Sequence, residues 1–228
     1  MMKKDFWFAL FILFLFVPFI FCDDLYAWYR TFNSEHGLLM SFFKFAVLAT
    51  LGEILGLRIS TGSYYKKQFG IVPRMVVWGL LGMGINMAMI IFSSGVPSFL
   101  EYLGVQEASS MLSHGSFIQK IGVAFAISVG MNVIFAPLFM TFHKITDTHI
   151  IACRGSLRSL LTPIPMGKII RELNWEVQWN FVFKKTIPLF WIPAHTITFL
   201  LSSELRVLFA AFLGIVLGVL LAVAARKK

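Results

Sequence analysis

The chain has 228 residues, 58% of them hydrophobic and 16% aromatic, with a formal net charge of +9. That much apolar material exceeds what a soluble domain of this length buries, and it comes in long runs, which excludes an ordinary water-soluble globule. The basic excess lies between the apolar runs instead of in stripes interleaved with aromatics, which argues against nucleic acid as a partner and for a cytoplasm-facing bilayer surface.

The apolar runs do not alternate with polar residues, so they predict helices and not a membrane barrel. Six spans are expected, over residues 6–21, 37–57, 71–92, 121–142, 186–203 and 207–225. The expected fold is therefore an all-α polytopic transmembrane helix bundle forming one membrane domain over 1–228. The first run follows Lys3 and Lys4 and closes on Phe21 and Cys22 before Asp23 and Asp24. It lacks the small residues of a cleavage site, so an uncleaved anchor is expected.

Lys and Arg counted between the spans, with Arg74 at the mouth of the third included, give 2, 1, 4, 1, 7, 1 and 3 in chain order. The richer segments hold Lys3 and Lys4; Arg58, Lys66, Lys67 and Arg74; seven residues from Lys144 to Lys185; and Arg226, Lys227 and Lys228. Cytoplasmic loops retain Lys and Arg, so this alternation puts both termini and the basic loop 143–185 inside. It favours a bacterial inner membrane, with an organelle membrane as the alternative. Cys22 then lies outside and Cys153 inside, so they cannot pair.

Outside the spans, 97–117 predicts a short external interfacial helix. Residues 166–179 predict an amphipathic cytoplasmic helix, with Trp175 and Trp179 among headgroups.

Within the spans the polar residues stand out, because ionisable and amide groups in lipid face a bundle interior or a cavity. Lys44 lies near the outer end of its span, where its stem can snorkel outward. Glu53 lies between Gly52 and Gly56 near the cytoplasmic end, with Arg58 or Arg74 as a local ion-pair partner. Asn86, Asn132 and His195 each fall near mid-span and predict a midplane polar cluster. Such a cluster either lines a solute path or bonds helix to helix. Pro137, Pro188 and Pro193 are expected kink sites beside it.

Arg74 precedes Gly84 and Asn86 by the spacing at which Lys120 precedes Gly130 and Asn132. On antiparallel spans that would be an inverted repeat. Gly214 and Gly218 form a small-x3-small motif, suited to packing within the bundle or to a homo-oligomer seam.

The run MNVIFAP at 131–137, with Asn132 and Pro137, resembles a signature of the peroxisomal twenty-two-kilodalton and mitochondrial inner-membrane protein family. Trp191, Pro193 and His195, followed by Thr198 and Phe199, resemble its next signature. Arg206 stands near the family's following arginine. Gly52 and Glu53 resemble its Gly-Asp helix end, and Arg74 its basic residue before the next helix. The similarity spans about residues 37–225, with Met131, His195 and Thr198 replacing an acidic residue, a Gln and an Asn. The resemblance implies a small helical channel for small solutes, with polar groups at Glu53, Asn132 and His195.

Three functions follow. The first is a small-solute channel or facilitator lined by Glu53, Asn86, Asn132 and His195, with no cofactor. The second is a structural or assembly protein without transport. The third is a metal-dependent membrane hydrolase built on His143, Asp147 and His149, whose residue types suit zinc. No nucleotide-binding loop or nucleophile motif is present, so no enzyme activity is expected, and no resident metal.

Overall fold

The computed structural model describes residues 2–226, and side chains from 3 to 220. Lys227 and Lys228, counted in the charge series, lie outside the described residues. The chain is all-helical, and no strand occurs among the described residues. It divides into two compact units, Met1–Met40 and Ser41–Lys228.

In the first unit, α1 (Met2–Phe21) and α2 (Asp23–Glu35) meet at Cys22, whose N–H bonds to the Pro18 carbonyl at 3.0 Å. Phe19 packs edge-on against Tyr29. None of the side chains in the Lys3–Phe21 run is buried, and Asp5, Phe8, Ile12, Leu15 and Pro18 form its one half-covered stripe. An apolar helix this uncovered is of the kind that a bilayer covers.

The second unit contains α3 (Gly37–Thr61, which starts in the first), α4 (Ile71–Tyr102), α5 (Ala108–His114), α6 (Phe117–Ala152), α7 (Met166–Glu172), α8 (Trp175–Val177), α9 (Ile192–Leu200) and α10 (Ser203–Arg226). A wide-turn π stretch, Gln178–Trp191, joins α8 to α9 without interruption. Among the described residues, five helices are long and apolar enough to cross a membrane: α1, α3, α4, α6 and α10.

The expected fifth span, 186–203, falls on the end of the π stretch plus α9, and the helix stops at Leu200 because Leu201 turns extended. Pro188, which has no N–H, sits inside the π stretch.

Two helices outrun their apolar cores. α4 continues through Pro97 to Tyr102, and α6 has 36 residues. At 1.5 Å per residue α6 is about 54 Å long, well beyond a hydrocarbon core of about 30 Å. Residues 143–152 of the expected loop are therefore helix. Hydropathy tracks the solvent around a helix, whereas the i to i−4 bonds persist wherever side chains still pack.

Likewise the helix expected over 166–179 breaks at Leu173. Asn174 there starts a new turn by accepting the Val177 N–H at 3.0 Å. Trp175 and Trp179 remain exposed. The short helix expected within 97–117 is α5. Ser116 and Gln119 then form a capping box that starts α6.

α6 is the hub and packs against α4, α5, α7, α9 and the π stretch. Ile127, Met131, Ala124 and Phe199 form the centre of the core. Small residues set the helix approaches. Phe42 and Phe45 of α3 occupy the space where side chains on Gly79 and Gly82 of α4 would lie. Gly218 of α10 packs against the Gly52 carbonyl of α3, so half of the small-x3-small motif is used within the chain.

A Cβ on Gly82 would lie 2.5 Å from the Phe45 Cβ, whereas one on Gly84 would meet nothing within 4 Å. Gly82→Ala is therefore expected to destabilise the protein by about 1–3 kcal/mol through overpacking. Gly84→Ala is expected to be neutral or stabilising by up to about 1 kcal/mol. Thermal unfolding in detergent compares the two, and equal melting temperatures would refute this packing.

Candidate functional site

The site is built on one stripe of α6. Ser128, Asn132, Ala136, Phe139 and His143 recur at helical spacing and face the same side. Asn132 is fully buried. Its amide nitrogen donates to the Ser128 carbonyl at 2.8 Å and lies 3.0 Å from His195 Nδ1. Its oxygen lies 3.2 Å from the same ring nitrogen. The amide thus offers an N–H to a bare Nδ1 and an oxygen to a protonated one. Ser128 donates its hydroxyl to the Ile192 carbonyl at 2.7 Å, at the junction where the π stretch becomes α9. The His195 ring also packs on Trp191, with centroids 5.1 Å apart.

One end of α6 carries a second, ionic cluster. Arg74 is buried and makes ion pairs with Glu53 of α3 and Asp147 of α6. Its Nε donates to the Phe69 carbonyl at 2.7 Å, and its guanidinium lies over the Phe69 ring. Glu53 Oε1 accepts the Trp78 indole N–H at 2.9 Å and lies 3.1 Å from His143 Nε2. Lys144 reaches the other Asp147 oxygen at 3.8 Å.

Two glycines bring these elements together. Gly70 (φ +71°) and Gly155 (φ +67°) meet backbone to backbone, and a Cβ on Gly70 would fall 2.8 Å from the Gly155 Cα. Their contact ties the start of α4 to the end of α6, which sets Arg74 beside Asp147.

Between the two clusters lies a cavity of about 420 Å³. Asn132 and His143 are eleven positions apart on α6, so its polar ends stand about 16 Å apart. Phe135, Phe139, Met140 and Phe181 are among its walls. Glu53, His143, Lys144 and Gln178 line one end, and Asn132, Trp191 and His195 the other.

Three of the four expected path residues, Glu53, Asn132 and His195, line this cavity, but Asn86 does not. Asn86 is half-buried on α4, so the expected midplane trio is a pair. Asn132, which follows Lys120 at the spacing by which Asn86 follows Arg74, is fully buried.

Lys44 is buried inside the bundle instead of reaching outward. Glu53 takes Arg74 as its partner, whereas Arg58 turns to the Gly62 carbonyl and the Tyr64 ring. The zinc arrangement does not assemble. His143 faces Glu53, Asp147 faces Arg74 and His149 bonds to the Ser159 carbonyl, because His149, six positions after His143 and two after Asp147, points to another side of the helix. No three metal-ligating side chains converge among the described residues.

The other motif residues have structural roles. Gly52 admits α10, Pro137 runs within α6, and Arg206 donates to the Leu201 and Phe199 carbonyls at 3.1 and 3.2 Å, closing the end of α9. Trp78, Ser128 and Gln178 carry no signal of their own in the sequence, and Asp147 stands out there only as a metal-ligand candidate. The i, i+4 spacings Arg74–Trp78, Ser128–Asn132 and His143–Asp147 were the available signal. Compared with known protein families, curated proteins and solved structures, the chain matches none.

Removing a partner from a buried ion pair leaves the other charge unmatched, at a cost of about 3–5 kcal/mol. Arg74→Ala is expected to lose stability in that range, and Arg58→Ala less than about 0.5 kcal/mol. Equal shifts of the two variants in a thermal-stability assay would remove the central role given to Arg74.

Proposed function

We propose that the chain is an integral membrane facilitator for a small solute, a distant relative of the family it resembles, and that the solute passes through the α6 cavity. The observation that carries this reading is the cavity itself. It is a space of about 420 Å³ inside an apolar bundle, with polar side chains at two depths and little else polar between them. Cavities of this size suit small ligands. Ionisable groups in a bilayer usually mark such paths.

Six crossings with both termini inside are part of the proposal, the sixth being the composite run through the π stretch and α9. Supporting this, late α3 (Glu53), early α4 (Arg74), late α6 (His143, Asp147) and the start of the π stretch (Gln178) meet at one level, as alternating crossings require. On this topology Cys22 is expected to react with a membrane-impermeant maleimide in intact cells. Cys153 is expected to react only after permeabilisation, each thiol being tested with the other changed to Ser. Labelling of Cys153 in intact cells would reverse the orientation.

The internal pairing of Asn132, His195 and Ser128 favours a second reading, in which these groups only join helices. Solute-induced swelling of reconstituted vesicles separates the two. Asn132→Ala and His195→Ala are each expected to change flux by about tenfold, the weight of one hydrogen bond. No flux above protein-free vesicles, with both variants only less stable, would leave the structural reading.

A further inference from the structure

Gln178 and Trp191 bracket the π stretch, and both line the cavity. The Gln178 side-chain nitrogen and the Trp191 indole nitrogen are buried without a hydrogen-bond partner. Gln178 as a whole is only 7% exposed. An unmet donor in a low-dielectric interior is destabilising, and each such group asks for an acceptor from outside the chain. His195 adds to this set. Asn132 engages its Nδ1, which leaves Nε2 as the ring nitrogen for a ligand.

Charge on the cavity's ionic end is already matched. The carboxylates of Glu53 and Asp147 are balanced by Arg74 and Lys144. A charged head is therefore not called for, whereas acceptor oxygens are. The remaining lining is dominated by aromatic and aliphatic side chains, which favour an apolar skeleton over a file of water.

From these observations we infer that the cavity binds a neutral lipophile bearing carbonyl oxygen, which one of the two donors at its opposite ends, Gln178 or Trp191, recognises. The inference rests on the cavity being a ligand site, as the proposed function does, but it does not require passage across the bilayer.

The test uses the full chain in lipid nanodiscs and three radiolabelled probes of equal length: 2-undecanone, undecane and undecanoate. Uptake in excess of protein-free nanodiscs is measured to saturation for wild type, Trp191→Phe and Gln178→Leu, with melting temperatures recorded for each. Wild type is expected to bind the ketone about tenfold more tightly than the other two, and at least one variant to lose that preference while still folded.

Equal ketone and hydrocarbon binding would overturn the inference but leave a ligand cavity. Preference for undecanoate would overturn the neutral head, and a ketone preference unchanged in both folded variants would overturn the assigned donors. No saturable uptake of any probe would also overturn it. Vesicle swelling, read separately, decides the transport reading: ketone binding without flux would sink transport and leave this inference standing.

Discussion

The Arg74 guanidinium joins three helices. Its three nitrogens are spread over Glu53 on α3, Asp147 on α6 and the Phe69 carbonyl just before its own helix, with the Phe69 ring against one face. A buried cation is tolerable only with this degree of pairing, and two carboxylates at one place are tolerable only with the cation between them. The surrounding groups follow from that arrangement. Trp78 and His143 complete the bonding of Glu53, Lys144 that of Asp147, and the Gly70–Gly155 contact brings the chain close enough for all of it. The ionic end of the cavity is thus a structural joint as well as a lining.

Backbone accounting explains the opposite end. Every backbone carbonyl in an apolar surrounding needs a donor, and the run from Gln178 to Leu200 departs from regular α geometry at its π stretch and at its end. Side chains bond to carbonyls at both places. Ser128 and Thr196 donate to the Ile192 carbonyl at the junction, and Arg206 covers the last carbonyls of α9. Ser128 in turn fixes Asn132, and Asn132 fixes His195. The polar pair at the deep end of the cavity is thus tied, through Ser128, to the junction where the π stretch becomes α9. π segments often occur at functional sites for this reason, since the loosened backbone and its partners bring polar groups into an apolar core.

Together these two devices leave a cavity whose ionic end is charge-balanced and whose deep end is hydrogen-bonded, with two donors left over on the π stretch. The amide of Asn132 serves either tautomer of His195, so the ring can exchange a partner on its cavity side without breaking its anchor. Apolar walls of Phe and Met side chains adapt to shape at little cost, because Met in particular repacks readily. Both features suit a site that takes up and releases a ligand.

Helical class and the long apolar runs were legible in the amino-acid sequence, because a bilayer demands that each segment satisfy its own backbone and that demand is local. Glu53, Arg74, Asn132 and His195 stood out because polar groups in apolar runs are costly wherever they fall. Their partnerships were not legible. Arg58 is nearer than Arg74 to Glu53 in sequence, and only the approach of α4 to α3 over Gly79 and Gly82 decided between them. Asn86 and Asn132 look equivalent at matching spacings, yet α6 turns Asn132 onto His195 while α4 leaves Asn86 apart. The length of α6, the π stretch and the cavity between them depend on which faces meet across the bundle. Those contacts join residues far apart in the chain, and hydropathy, which is summed along the chain, carries no information about them.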